Sequence, residues 1–193
     1  QSLDIAYGYT HDGGKTFPLR GLGVGKMPSL RHVLETFPNK KFLINIKSND
    51  PDEADLIDLF LGTQSKKSLS RVSFYGPHRP TTRLLSLKPQ LRGFTKESVK
   101  KCAIDYALIG WSAYVPKSCR NTIILLPRGY ARYFWGWPNV FVSRMKNVNT
   151  DVILVDLNNG KTDGIDDLEE VKVLAASYRG IIWTDKIEKL APQ

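Results

Sequence analysis

Asn45 and Lys47 stand two residues apart at the end of an apolar run, Phe42-Leu-Ile-Asn-Ile-Lys47, where they offer a carboxamide and an ammonium to an anion. On a β-strand, successive side chains point to opposite faces. Leu43, Asn45 and Lys47 then share one face, and Phe42, Ile44 and Ile46 the other. An ammonium set against an apolar core costs several kcal/mol unless it is paired or meets an anion. Ser48-Asn-Asp-Pro51 follows at once, and the C-terminal end of a strand is where α/β folds hold their chemistry. An edge strand with both side chains in water satisfies the same pattern.

Other residues suggest chemistry that their surroundings withdraw. Gly21-Leu-Gly-Val-Gly-Lys26 resembles a nucleotide loop, but Arg20 stands where its first glycine belongs and Met27 where Ser or Thr would hold magnesium. Arg128-Gly-Tyr-Ala131 opens like an RNA-recognition signature, and Arg132 then replaces the next aromatic. Tyr133, Trp135 and Trp137 remain able either to stack bases or to pack over a pocket rim. His11, His32 and His78 have no metal spacing; His32 falls on the polar side of a helix, and the other two fall in loops. Asp156, at a strand end, either faces the same mouth as Lys47 or caps the turn at Asn158-Asn-Gly160. The acidic stretch 163–170 lacks calcium-loop spacing and reads as a turn followed by a helix start. Cys102 and Cys119 fit no zinc motif. They are either a disulfide, closing a loop worth about 3 kcal/mol in an oxidising compartment, or two buried small apolar side chains.

The elements that must position these residues alternate strand and helix. Ser29 caps a helix with Leu30, Val33, Leu34 and Phe37 on one side, and Pro38 ends it. Strands are expected at 41–47, 71–75, 91–95, 122–126, 152–157 and 180–184. Helices fall between them: one opened by Pro51, a short Pro-flanked one, one capped by Thr95, one after Pro138, and one over 167–176. Such alternation builds a mostly parallel sheet. Residues 1–27 are glycine-rich and aperiodic, a long loop expected to lie over an active-site mouth or to belong to something upstream, and one domain is expected over 28–193.

Composition sets the frame. The 193 residues suffice for one sizeable core, and 41% hydrophobic with 24% charged residues is ordinary for a globular chain. A net charge of +9 favours anionic partners, although the basic residues are scattered. No apolar run approaches the ~20 residues of a membrane span. The chain opens Gln-Ser-Leu-Asp, with neither Met nor a basic-then-apolar leader, as a processed chain or a fragment would.

Asp12-Gly-Gly-Lys-Thr-Phe-Pro-Leu-Arg-Gly-Leu-Gly-Val-Gly-Lys-Met-Pro-Ser-Leu30 and Phe42-Leu-Ile-Asn-Ile-Lys-Ser-Asn-Asp50 resemble the glycerophosphodiester phosphodiesterases, most of all a bacterial subgroup with a Thr-Phe-Pro-x-Arg-Gly loop. Cys102, Tyr106, Gly110-Trp111, Val115-Pro116, Cys119-Arg-Asn121, Trp135-Gly-Trp-Pro138 and Ile182-Trp-Thr184 fit the same subgroup. The resemblance implies a TIM barrel that hydrolyses glycerophosphodiesters to glycerol 3-phosphate and an alcohol. It also implies a divalent cation, calcium or magnesium, on three carboxylates, with two histidines as acid and base. Lys47 matches a phosphate-side lysine of the family's Glu-x-Lys, and Arg20, from the glycine-rich loop, would clamp phosphate or else form a surface salt bridge. Asn45 stands at the metal-ligand glutamate, a neutral oxygen in place of a charged one.

The family's His-Arg-Gly, Glu-x-Asp and His-Asp motifs, on its first two strands, have no counterpart here. The expectation is therefore an incomplete barrel over 28–193, of about six of eight βα units, strands three to eight. Alone it would be inactive, and it would need a partner supplying about two further units. A non-catalytic module that binds phosphodiesters or lipid head groups is the second reading, and a nucleic-acid binder the third. The cysteine pair and the subgroup imply a bacterial periplasmic or secreted location.

Overall fold

The structure, a computed structural model, describes residues 3–190 and divides into two compact units, one through Lys41 and one from Phe42 onward. In the first, two aspartates order the glycine-rich stretch. Asp4 accepts from the Ala6 N–H at 3.0 Å and the Gly21 N–H at 2.6 Å, beside an antiparallel bridge between Asp4 and Val24. Asp12 accepts from the N–H groups of Lys15 and Thr16 and from the hydroxyls of Thr10 and Thr16. Gly23 must be glycine because a Cβ there would lie 2.6 Å from the Asp4 carboxylate. Helix α1 (Leu30–Thr36) then starts where Ser29 accepts from the His32 N–H, and it buries Leu34.

The second unit alternates as the periodicity predicts: β1 (Phe42–Asn45), α2 (Asp52–Gly62), α3 (Lys66–Leu69), β2 (Val72–Tyr75), α4 (His78–Leu87) and β3 (Arg92–Phe94). Then come α5 (Lys96–Ile109), β4 (Ile123–Pro127), α6 (Arg128–Ala131), α7 (Asn139–Lys146), β5 (Asp151–Asn158), β6 (Lys161–Asp163), α8 (Leu168–Ser177), β7 (Ile181–Ile182) and α9 (Ile187–Leu190). Thr95 and Ser98 form a reciprocal capping box at the start of α5, and Asp167 caps α8 through the Glu170 N–H. The acidic stretch is thus a turn and a helix start.

β1, β2 and β3 form one parallel sheet in that order; β4, β5 and β7 are parallel in a second, with β6 antiparallel to β5. Side chains join the two sheets where β3 meets β4. Thr122 Oγ1 donates to the Gly93 carbonyl at 2.7 Å, and Arg92 reaches Asp151 at 2.6 Å. The fold is mixed α/β with parallel sheets, and no barrel closes among the described residues. One core lies outside the second sheet, around Tyr106, Phe141, Met145 and Leu154; a smaller one, around Phe94, Ile123, Ile153 and Val155, lies on the other face.

Three details depart from expectation. The first strand spans 42–45 rather than 41–47: past Asn45 the chain turns, with the Asp50 N–H bonded to Ser48 Oγ. Lys47 is therefore beyond the strand and exposed, and an ammonium in water carries no desolvation penalty. The last strand is trimmed from 180–184 to two residues. The β5–β6 hairpin is additional; Asn159 and Gly160, with φ 51° and 74°, make the two-residue turn that matches strand twist.

Candidate functional site

Asn45, Tyr75 and Phe94 end β1, β2 and β3 at the same level, paired in register across the sheet. Tyr75 stacks on Phe94 with ring centroids 5.1 Å apart, and Trp183, just past β7, meets Tyr75 edge-on at 6.4 Å. Leu43 packs into the same cluster, so β1 turns the Leu43 side inward as alternation requires. Asn45 is the polar group on this apolar floor, and its side chain shares a hydrogen bond with the Tyr75 hydroxyl. Burial raises the phenol above its ordinary pKa, and the Asn45 contact opposes that rise. Gly76 permits the approach, since a Cβ there would collide with the Ile46 carbonyl.

Around this floor the C-terminal strand ends supply polar and charged groups. Lys47 follows β1, His78 opens α4 with Nδ1 3.6 Å from Glu97, and Arg128 opens α6. The Asp156 carboxylate accepts from Arg128 Nε at 2.8 Å, a partner the sequence did not suggest. Glu170 takes the other side of that guanidinium at 2.7 Å, and the two carboxylates hold Arg128 firmly charged.

Arg20 belongs to the first unit. Its Nε donates to the Tyr7 carbonyl, and its guanidinium lies over the rings of Tyr7 at 4.3 Å and Phe17 at 4.0 Å. It forms no salt bridge among the described residues; the terminal nitrogens are the edge that can bracket an anion. Cys102 and Cys119 are disulfide-bonded, tying α5 to the segment before β4. Of the aromatics after Arg128, Trp137 packs into the larger core against Phe141 and Tyr178, while Tyr133 and Trp135 stay exposed. His11, His32 and His78 are all exposed.

Among the described residues no three His, Cys, Asp or Glu side chains gather to hold a metal ion. Asn45, neutral and engaged by Tyr75, offers no charged oxygen to the calcium or magnesium expected from the sequence. Sequence reasoning missed Tyr75 and Trp183, whose aromatic types at strand ends were visible but whose meeting depends on the fold. No protein-family model, curated protein or solved structure matches this chain.

Proposed function

We propose that the second unit is the larger part of a phosphodiesterase-type (β/α)8 barrel, strands three to eight, and that it binds the phosphate of glycerophosphodiesters at the C-terminal end of β1. The contact between Trp183 and Tyr75 carries the reading. If β1 is counted as the third strand of eight, β2 and β7 are the fourth and eighth, on opposite sides of the ring. Side chains at their ends would then meet across the interior, as packed barrel layers do. The parallel neighbours, β1–β2–β3 in one sheet and β4–β5–β7 in the other, give six strands in chain order and support the same count.

In this reading Lys47 supplies a mobile ammonium to phosphate oxygens and Asn45 orients the site through Tyr75. Acid–base histidines and metal carboxylates come with the two βα units that complete the ring. Hydrolysis to glycerol 3-phosphate belongs to the completed barrel, and binding to this chain. Calorimetric titration with glycerophosphocholine tests it. Lys47→Ala should weaken binding by about tenfold or more, the worth of a charge-assisted hydrogen bond. Equal affinity in parent and variant would sink the assignment. Release of choline with calcium or magnesium should appear only when the completing units are supplied.

A further inference from the structure

The outer side of α5 carries Lys100, Ile104 and Leu108 at i, i+4 and i+8, and Ile104 and Leu108 are 50% and 68% exposed. Trp111 extends the stripe; it is 68% exposed, and its Nε1 donates to the Leu108 carbonyl at 3.1 Å. From the segment after α6, Trp135 donates its Nε1 to the Ala107 carbonyl at 2.9 Å and is 48% exposed. Each indole spends its one donor on the C-terminal carbonyls of α5, so what it shows to solvent is apolar ring. Val140, also exposed, adjoins through Gly136, and an apolar cleft of about 300 Å³ lies between Ala103 of α5 and Tyr130 and Tyr133.

Cations accompany these rings. Arg132 lies 4.9 Å from the Tyr133 centroid and Arg120 5.4 Å from that of Tyr114, both tyrosines being exposed. Asp105, the carboxylate in the middle of α5, is already engaged by Lys101 and by the Ser118 hydroxyl. Exposed aromatic and aliphatic side chains beside unneutralised cations are the chemistry of the bilayer interface, where indole rings settle at head-group level and basic residues meet anionic lipid.

We infer that this face, built by α5 and residues 128–140, docks onto the head-group layer of an anionic lipid bilayer. A second copy of the chain is a poorer occupant, because a symmetric contact brings the cations Lys100, Arg120 and Arg132 of both copies into one interface. Nucleic acid would use the rings and cations but leave Ile104, Leu108 and Val140 without a role. Among the described residues no helix is long and apolar enough to cross a membrane, and docking by this face calls for none. The inference stands apart from the phosphodiester reading, since it calls on none of Asn45, Lys47, Tyr75 and Trp183.

Co-sedimentation with phosphatidylcholine vesicles, with and without phosphatidylglycerol, tests it. The chain should partition onto the anionic vesicles, and bromolipids should quench its tryptophan emission. Arg132→Gln should lower partitioning about fivefold, the worth of one basic residue at such a surface. Leu108→Ser with Trp111→Ser should abolish both partitioning and the Trp111 share of quenching. Circular dichroism melts matching the parent show that the double variant is folded; Ile104→Ser is the second variant should that one unfold. Leu56→Ser with Leu59→Ser, on the exposed side of α2, should leave partitioning unchanged. The inference is overturned by equal binding to neutral vesicles, by loss only in the α2 variant, or by binding confined to a single-stranded oligonucleotide.

Discussion

Asp12 shows how much one carboxylate can organise. Four hydrogen bonds converge on it from Thr10, Lys15 and Thr16, and the hydroxyl and amide of Thr16 are foremost in holding its pKa well below the ordinary carboxylate range. A carboxyl whose pKa is depressed by folding stabilises the folded form above its unfolded value, and that contribution is lost as pH falls through the folded value. The turn over 10–16 should therefore survive acidification past the point where free aspartates protonate, about pH 4. Amide shifts of Lys15 and Thr16, followed from neutral pH downward, should stay constant through that point and move only in stronger acid; Asp12→Ala should abolish the plateau. Asp-Gly-Gly with Thr four residues on carries the signal for such a turn, but the stretch read only as an aperiodic loop. The inward face of Asn45 was legible too, from alternation. Lys47 was not, because alternation says nothing once the strand ends. Nor was the partner of Asp156, since Arg128 is 28 residues away and only the β4–β5 pairing brings them together.

α5 is the element on which most of the second unit depends. Its N-terminus is closed by the Thr95–Ser98 box, its C-terminal carbonyls by Trp111, Trp135 and Arg144, and its middle by the bond from Cys102 to Cys119. Both cysteines are almost fully buried. A cross-link over 17 residues is worth about 3 kcal/mol by chain entropy. Replacing both cysteines by alanine should lower the midpoint of thermal unfolding by roughly 6–12 °C for a chain of this size. An unchanged midpoint would mean that packing alone holds α5 in place. Periodicity revealed this helix because its apolar positions recur over 14 residues. It missed the β5–β6 hairpin, although Asn-Gly between two extended runs is the strongest short-range sign of one. Read by itself the dipeptide marked only a turn, and strand pairing turned it into a hairpin.

At the scale of the second unit, the sheets end in strands with one neighbour each. Among the described residues β1 pairs only with β2 and β7 only with β5, while β3 and β4, the other sheet ends, are joined through Thr122–Gly93 and Arg92–Asp151. In α2, which follows β1 in the chain, Leu56 and Leu59 are 68% and 70% exposed; Ile181 of β7 is 45% exposed, and Val173 of α8 and Ile187 of α9, on either side of β7 in the chain, are 70% and 64% exposed. Unpaired edges flanked by exposed apolar side chains favour pairing with another chain unless something covers them. In a ring of eight the cover is about two further βα units, which remove both edges at once. The alternating order made the parallel sheet legible in advance. Whether it closed was not, because closure depends on how strands distant in sequence curve toward each other. The two edges make a prediction of their own. Sedimentation velocity across the micromolar range should show reversible self-association, since exposed edges drive aggregation at such concentrations. Leu56→Lys, Leu59→Lys and Ile181→Lys together should return the chain to a monomer by setting charge beside each edge. A polypeptide carrying the two completing units should do the same without any substitution, at a one-to-one ratio. If the parent chain is monomeric throughout and ignores that polypeptide, its edges are not open, and the incomplete barrel falls with them.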